Sequence, residues 1–328
     1  MRAIAIDGFG GPEVLRPADL PRPVPGPGEV LVKVAYAGVN PADWKAREGR
    51  LAGFFDYRFP FVPGFDLSGT VEAVGSGVSD LAPGMKVFGM SNQGQGANGS
   101  YAEYCLADPA LLAPLPASLD LVEASGLGVS GTTAYGGLVD VGVLQPGQCV
   151  LINGGAGGVG SLAIQIAAAL GARVAATCSA RNAEYVASLG AERQIDYANQ
   201  DVTAAVRDWV EAGVDLVLDA VGLGTLLPNA TALVKPGGSF VEIETLVSRA
   251  SESEIAAAAA QGVRITSNMV GISRLSEHLA GLARLFEEGR IRPAVTTVMP
   301  LSEAAEAHRR VEAGHVRGKI VLQIADDA

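Results

Sequence analysis

The chain has 328 residues, a formal net charge of −11 and 48% hydrophobic residues. Its length predicts about two domains at roughly 150 residues each, and its hydrophobic content excludes a disordered chain. The acidic charge argues against nucleic acid or an anionic membrane as a partner, because both attract positively charged proteins.

Apolar runs and cysteine spacing exclude further classes. No stretch reaches the roughly 18 consecutive apolar residues of a membrane span, and the first residues lack the apolar core of a secretory signal. We therefore expect a cytoplasmic protein. The three cysteines and three histidines show no short metal-binding spacing, which argues against a disulfide scaffold or a compact zinc finger.

The chain up to about residue 120 is typical of a β-rich domain. Proline and glycine interrupt short apolar alternations, and residues 28–36 place Val30, Val32, Val34 and Tyr36 on one face of a strand. Residues 70–74 predict another strand, followed by a glycine-rich turn and a further strand. Nothing in this part resembles a long amphipathic helix.

From about residue 123, short aliphatic strands alternate with helices of about ten residues. The predicted strands are 149–153, 173–177, 214–220 and 239–243, and the predicted helices are 159–170, 182–189, 202–210, 225–234 and a helix over 256–260. This alternation predicts a parallel sheet covered by helices on both faces. The tail after about residue 267 predicts helices over 274–288, ending at Gly289, and over 302–313, with Ser302 as N-cap, and then a strand over 319–324.

The strongest motif is G-x-G-x-x-G at Gly155, Gly157 and Gly160. It follows a predicted strand directly and opens a predicted helix, which is the context that makes the pattern specific for a dinucleotide. The first glycine permits the tight turn, the second lets the backbone approach a pyrophosphate, and the third lets helix and strand pack closely. The helix N-terminus would hold the pyrophosphate through its free N–H groups.

The end of the second strand bears on the choice of nicotinamide cofactor. NAD sites usually carry an acidic side chain there, but this chain has Thr177, Ser179 and Arg181, with no acid before Glu184. Hydroxyls and a guanidinium suit a 2′-phosphate, which favours NADP(H). The alternative interpretation of Arg181 is a solvated residue at a helix start.

Several segments, read in order, resemble the medium-chain dehydrogenase/reductase superfamily in its zinc-free branch of quinone oxidoreductases and enone (alkenal) reductases. They are residues 37–44, 63–69, 99–104, 131–135, the glycine turn, 189–191 with 196–197, and 314–319. The resemblance implies an α/β protein with a GroES-like catalytic domain, residues 1–122 completed by 268–328. A Rossmann NADP-binding domain, residues 123–267, is inserted in it, and the resemblance puts the active site in the cleft between them.

The resemblance also locates the zinc ligands of the superfamily's alcohol dehydrogenases. This chain has Asn40, Phe65 and Val129 at or near those positions, and none of them binds zinc as a thiolate or imidazole. The short loop 91–99 replaces the four-cysteine zinc lobe. Zinc-assisted alcohol oxidation is therefore not expected, and the implied reaction is hydride transfer from NADPH to a quinone or to the C=C bond of an α,β-unsaturated carbonyl.

The resemblance implies specific site residues. Asn40 and Tyr57 are the candidate catalytic residues, and Phe65 would wall the substrate pocket. The candidate cofactor contacts are Thr133, Gly155, Ala156, Gly157, Gly158, Val159, Gly160, Thr177, Ser179, Arg181, Tyr197, Val221, Gly222 and Lys319. Many relatives carry a lysine where this chain has Asn182, which weakens the NADP assignment slightly.

Two other functions stay open at this point. One is a pathway-specific enoyl reductase acting on a polyketide-like or carrier-bound substrate, and the other is an NADPH-binding protein with little turnover. The expected partners are a small conjugated carbonyl or quinone and a second copy of the chain in a homodimer, with no nucleic acid and no membrane.

Overall fold

The computed structural model describes residues 1–54, 56–95, 99–222, 224–243, 249–267 and 274–325. These residues form two compact units. One contains the described residues of Met1–Thr132, Ile272–Glu287 and Pro293–Ala328, and the other those of Thr133–Gly271 and Glu288–Arg292. The predicted start of the C-terminal part, residues 268–273, lies outside the described residues.

The strands are few-residue segments in which aliphatic side chains dominate. In chain order they are β1 (Arg2–Ala5), β2 (Arg16–Asp19), β3 (Val30–Val39), β4 (Asp66–Val74), β5 (Lys86–Met90), β6 (Tyr104–Ala107), β7 (Leu112–Pro114), β8 (Cys149–Asn153), β9 (Arg173–Cys178), β10 (Arg193–Asp196), β11 (Val214–Asp219), β12 (Val234–Glu242), β13 (Arg264–Ser267), β14 (Val295–Pro300) and β15 (Lys319–Gln323).

The helices are mostly short. In chain order they are α1 (Pro41–Arg47), α2 (Leu121–Ala124), α3 (Gly128–Tyr135), α4 (Gly158–Ala169), α5 (Ala183–Ser188), α6 (Val202–Trp209), α7 (Ala230–Leu233), α8 (Glu252–Ala259), α9 (Leu275–Glu287) and α10 (Ala304–Ala313). Within the described ranges, none of them has the length and hydropathy that crossing a bilayer requires.

The first unit is built on a sheet with the order β14-β15-β3-β4-β5-β7, with β6 also paired to β3. β3 is its central strand, and all ten residues of β3 except Lys33 are buried. The strand predicted over 28–36 is thus observed as β3, and side chains on both of its faces are covered. β15 pairs with β3 in antiparallel register, so both ends of the chain build this sheet.

The second unit is a six-stranded parallel sheet with the order β10-β9-β8-β11-β12-β13. Numbered from β8, this is the order 3-2-1-4-5-6 of a dinucleotide-binding sheet. The direction of winding reverses between β8 and β11, and ligands of such sheets bind at the carboxyl ends of the strands beside that point.

Three predicted helices differ from the observed ones, and the one predicted over 256–260 is α8, which already begins at Glu252. Residues 225–234 form only a 3-10 turn at Leu227–Asn229 and the single-turn helix α7, because β12 already begins at Val234. Ser302 is not the N-cap of α10, since it lies inside the 3-10 turn Leu301–Glu303 and Glu303 precedes the helix without a side-chain cap. A 3-10 turn at a helix N-terminus commonly moves the cap by a few residues.

Candidate functional site

The turn between β8 and α4 requires glycine at two of its three motif positions for reasons of packing. A Cβ on Gly160 would lie 2.1 Å from the carbonyl oxygen of Gly154, and one on Gly155 would lie 2.8 Å from Cβ of Ala176. At Gly157 the nearest described atom would be 3.6 Å away, which is an ordinary contact. Packing within the protein therefore permits a larger residue at position 157. Glycine is required there only if a ligand such as a pyrophosphate approaches the backbone closely.

The first turn of α4 is open to an anion. Gly157 is its N-cap and provides no side-chain hydrogen bond, so the first N–H groups of the helix have no side-chain cap. Gly158 and Val159 begin the helix and are partly exposed, whereas Ala156 is buried. Free N–H groups and the helix dipole favour a phosphate at such a terminus.

Hydrogen bonds fix this turn to the end of β9. The hydroxyl of Thr177 donates to Oδ1 of Asn153 at 2.6 Å and accepts from the backbone N of Gly154 at 2.9 Å. The backbone N of Gly155 donates to the carbonyl of Thr177 at 2.8 Å. Thr177 is only 1% exposed, so its hydroxyl positions the turn. A cofactor contact of Thr177 stays a prediction.

Asp219, the last residue of β11, binds groups on both sides of the point where the winding of the sheet reverses, which we call the switch point. Its Oδ1 accepts from Nδ2 of Asn153 at 2.7 Å and from the backbone N–H groups of Val221 and Gly222 at 3.1 Å and 3.0 Å. Gly222 has a φ of 68°, which favours glycine. The predicted contacts Val221 and Gly222 thus follow the strand next to β8, at the same sheet edge as the glycine turn.

The residues predicted to bind a 2′-phosphate lie at the ends of two paired strands. Cys178 of β9 pairs with Asp196 of β10, so Ser179 and Tyr197 follow neighbouring strand ends. Arg181 is exposed on the 3-10 turn Ala180–Asn182, and the side chain of Tyr197 is also exposed. Nδ2 of Asn182 donates to the hydroxyl of Ser179 at 3.3 Å.

The residues of the second unit therefore fit a nicotinamide dinucleotide. The glycine turn offers a helix terminus without a side-chain cap and with space beside Gly157, and the segment after β9 offers the hydroxyl of Ser179 and the guanidinium of Arg181, with no acid in the sequence before Glu184. Thr133, also a predicted contact, is half-buried in α3.

Asn40 and Lys319 meet in the first unit. Asn40 is 2% exposed and precedes α1, and Lys319 begins β15 and is 5% exposed. The ammonium of Lys319 donates to Oδ1 of Asn40 at 2.5 Å, to the carbonyl of Val39 at 3.2 Å and to Oδ2 of Asp66 at 3.3 Å. Lys319 was predicted to contact the cofactor, and the structure shows its ammonium held by these protein groups.

The positions expected for zinc ligands carry other chemistry. Asn40 offers an amide, Phe65 a half-buried phenyl ring, and Val129 a backbone N–H that donates to Oδ1 of Asp66 at 2.6 Å. The described parts of the chain hold no group of three or more His, Cys, Asp or Glu side chains that could bind a metal ion. The residues at these positions do not fit a catalytic zinc.

Asp43 supports the turn that carries Asn40. Its carboxylate accepts from the backbone N of Asn40 at 2.6 Å and from the backbone N of Phe65 at 3.0 Å. The pKa of Asp43 is raised to about 7, mainly by burial. The nearby Asp66 contributes to this increase, and the two backbone N–H groups act against it. A single buried carboxylate thus connects the segment before α1 with the segment before β4.

Tyr57 lies among aromatic rings. It is half-buried, and its ring centroid lies 5.3 Å from that of Phe9 and 4.8 Å from that of Phe61, both edge to face. Burial, with a smaller contribution from Asp43, raises the pKa of Tyr57 to about 12. Its hydroxyl therefore stays protonated at neutral pH. The neighbouring Phe55 lies outside the described residues.

Sequence reasoning did not single out the buried acids Asp43, Asp66 and Asp219. Asp219 had a signal, because it is a polar residue at the carboxyl end of an aliphatic strand in a predicted parallel sheet. Asp43 and Asp66 lie in a region rich in proline and glycine, where an acid is usually solvated, and no spacing distinguishes them.

Comparison with known proteins covers both units. Residues 26–117 match the alcohol dehydrogenase GroES-like domain family, and residues 189–322 match a family described as zinc-binding dehydrogenase. The chain is 32% identical to a chloroplastic quinone-oxidoreductase, QR1, of Triphysaria versicolor, over 98% of both chains. It is 33% identical to a chloroplastic NADPH-dependent alkenal/one oxidoreductase of Arabidopsis thaliana, over 98% of this chain and 79% of the relative.

A solved structure agrees with these relatives. The quinone oxidoreductase of Coxiella burnetii superposes with a TM-score of 0.88 at 34% identity and covers 99% of both chains. The predicted fold class, a GroES-like β-rich part and a parallel Rossmann sheet, is thereby confirmed. The chain belongs to the medium-chain dehydrogenase/reductase superfamily, in its branch of quinone oxidoreductases and enone reductases.

Proposed function

We propose that the protein is an NADPH-dependent reductase that transfers hydride to a quinone or to the C=C bond of an α,β-unsaturated carbonyl. The observation that carries the proposal is that a dinucleotide site is retained while the zinc ligands are replaced. The second unit retains the glycine turn and switch-point network of a dinucleotide site, whereas the first unit has an amide, a phenyl ring and a backbone N–H at the zinc-ligand positions.

The donor set of the first unit favours a conjugated acceptor. An isolated ketone needs strong polarisation of its oxygen as hydride arrives, whereas an enone or quinone spreads the developing charge over its conjugated system. A neutral amide such as Asn40 offers a hydrogen bond to that charge. C4 of the reduced nicotinamide supplies the hydride when the cofactor is bound, and a proton from water or a nearby hydroxyl completes the reduction.

We propose NADP(H) over NAD(H). Arg181 and the hydroxyl of Ser179 follow β9 with no carboxylate in the sequence before Glu184, and a guanidinium and a hydroxyl suit a 2′-phosphate. One relative is named as NADPH-dependent, which supports the proposal. We also propose that the first unit binds the conjugated substrate, that the second unit binds the cofactor, and that the protein is a cytoplasmic homodimer.

A substrate panel tests the proposed function. Purified protein is given NADPH with quinones, enones, alkenals and simple ketones, and loss of NADPH absorbance is followed. We expect turnover of quinones or enones and none of simple ketones. Turnover of simple ketones alone would contradict the chemistry. Tight NADPH binding without turnover of any acceptor would instead favour a binding protein.

A further inference from the structure

The carboxamide of Asn40 has one permitted orientation in this structure. Its oxygen lies 2.5 Å from the ammonium of Lys319. An ammonium has only donors, so the atom facing it must be the amide oxygen and not the NH₂ group. The assignment of O and N in this side chain therefore follows from chemistry, and the NH₂ group faces away from Lys319.

That NH₂ group is a buried donor without a hydrogen-bond partner among the described residues. Asn40 is 2% exposed, so bulk water does not replace the missing partner. Buried donors in folded proteins are almost always paired, and an unpaired one calls for a specific explanation. In a reductase of conjugated carbonyls, the group that arrives with a free acceptor is the carbonyl oxygen of the substrate.

The lysine that sets this orientation is itself held on several sides. It donates to the carbonyl of Val39 and to the carboxylate of Asp66, which is fully buried. The other oxygen of Asp66 is tied to the backbone N of Val129 at 2.6 Å. A group held by fixed partners costs little reorganisation when charge develops beside it.

We propose that Lys319 is a positioning residue for the reduction: it locks the Asn40 carboxamide so that the NH₂ group donates to the substrate oxygen on which negative charge accumulates. This inference rests on the proposed function and adds a role for Lys319 other than contact with the cofactor. Asn40 is the residue that touches substrate, and Lys319 acts through it.

Two pairs of variants isolate the lock. Asn40→Asp keeps an oxygen toward Lys319 but replaces the NH₂ donor, and Asn40→Ala removes both. Because Lys319→Met alone would leave Asp66 as an unpaired buried charge, the lock is removed with Lys319→Met/Asp66→Asn, which keeps the cluster neutral. The same double change is then made in the Asn40→Ala background, and thermal unfolding establishes that each variant is folded.

The first readout is kcat for an enone that the wild-type protein reduces. We expect Asn40→Asp and Asn40→Ala to lower kcat by roughly a hundredfold, as loss of one donor to a developing oxyanion does. Lys319→Met/Asp66→Asn should lower kcat by about tenfold when Asn40 is present and by less than about twofold in the Asn40→Ala background. A purely structural role would give the same factor in both backgrounds and would overturn the proposal.

The second readout is binding of a nitrophenolate, a flat oxyanion that mimics an enolate, measured by its absorbance without cofactor. We expect Asn40→Ala and the lock variant each to weaken its affinity about tenfold or more. If these variants weaken NADPH binding and leave nitrophenolate binding unchanged, the donor serves the cofactor and the proposal is wrong. A wild-type protein that reduces no quinone or enone but binds nitrophenolate through Asn40 would contradict the proposed function. The same result would still support the proposed orientation of the Asn40 amide.

Discussion

The hydroxyl of Tyr101 lies 3.1 Å from Nε2 of His308, and both side chains are buried. Nη1 of Arg47 lies 3.4 Å from Nδ1 of the same ring. Because a guanidinium only donates, Nδ1 accepts and the ring proton is on Nε2, which donates to Tyr101. Burial, with the nearby charges of Asp43 and Asp66, keeps the pKa of Tyr101 well above its usual value. The buried groups Arg47, His308 and Tyr101 thus lie near Asp43, whose carboxylate accepts from the backbone N of Asn40.

The shifted pKa values of His308 and Asp43 predict two opposite pH dependences of the free energy of unfolding. Burial lowers the pKa of His308 to about 3, and Arg47 acts in the same direction. Between about pH 3 and pH 6.5 the imidazole therefore takes up a proton when the protein unfolds. The contribution of neutral His308 to stability is lost as pH falls through this range. The pKa of Asp43 is raised to about 7, so unfolding releases a proton and stability is lost as pH rises from about 4 to about 7. The two effects oppose each other over most of that range.

Single variants separate the two contributions. The free energy of unfolding of His308→Gln, measured relative to that of the wild-type protein, should decrease as pH rises from about 4 to about 6.5. The decrease should be up to about 1.4 kcal/mol per pH unit. Asp43→Asn should show the opposite trend. Urea unfolding at several pH values measures both differences, and other titrating groups cancel in the comparison. Parallel stability curves for all three proteins would contradict the assigned protonation states.

The glycine turn predicts a contrast between two identical substitutions. Gly160→Ala puts a methyl group 2.1 Å from a backbone oxygen, so we expect a loss of about 1–3 kcal/mol in unfolding free energy together with loss of NADPH binding. Gly157→Ala would place its methyl group no closer than 3.6 Å to any described atom, so stability should change by about 0.5 kcal/mol or less. Its NADPH affinity should nevertheless fall at least about tenfold, because the methyl group occupies space beside the pyrophosphate.

Thermal unfolding and NADPH fluorescence titration measure the two effects. NADPH binding by Gly157→Ala as tight as that of the wild-type protein would contradict a pyrophosphate beside this turn. An equal loss of stability in both variants would contradict the difference in packing.

Cofactor choice predicts a selective effect at Arg181. Loss of a charge-assisted hydrogen bond worth about 1.5–3 kcal/mol should raise the KM for NADPH by roughly 10- to 100-fold and leave the KM for NADH nearly unchanged. Arg173→Ala is the matched control. Arg173 is the first residue of β9, at the end opposite to the turn that carries Arg181, and it is exposed in an ion pair with Glu192. Equal effects of Arg181→Ala on both cofactors would contradict a phosphate contact.

Metal content gives an independent prediction. With Asn40, Phe65 and Val129 at the ligand positions, the purified protein should contain no stoichiometric zinc, and its activity should be unaffected by prolonged treatment with EDTA. Elemental analysis of the protein as isolated checks the first point, and assays after chelation and after added zinc check the second. Stoichiometric zinc with loss of activity on chelation would refute this account of the site.

The second unit follows closely from local sequence patterns. The aliphatic run 149–153 became β8 with the predicted bounds, and the glycine turn and α4 came next as expected. β10 was not predicted, because Arg193–Asp196 is short, has three polar residues out of four and gives little hydrophobic signal. Local patterns therefore located the dinucleotide turn but not every strand of the sheet beside it.

The first unit shows what sequence cannot supply. Lys319 and Asn40 are 279 positions apart, and their contact depends on β15 pairing with β3. Nothing in the local sequence distinguishes a lysine held by an amide and a carboxylate from a lysine that binds a cofactor phosphate. The resemblance gave Asn40 as a candidate, whereas the orientation of its amide depends on this long-range pairing.

The most direct test of the proposed reaction follows the fate of the hydride. NADPH dideuterated at C4 is incubated with the protein and an enone, and the product is examined by NMR and mass spectrometry. We expect one deuterium at the β-carbon of a saturated ketone and a solvent proton at the α-carbon. Deuterium on the carbinol carbon of an allylic alcohol would contradict the proposed reaction, because that product requires hydride addition to the carbonyl itself.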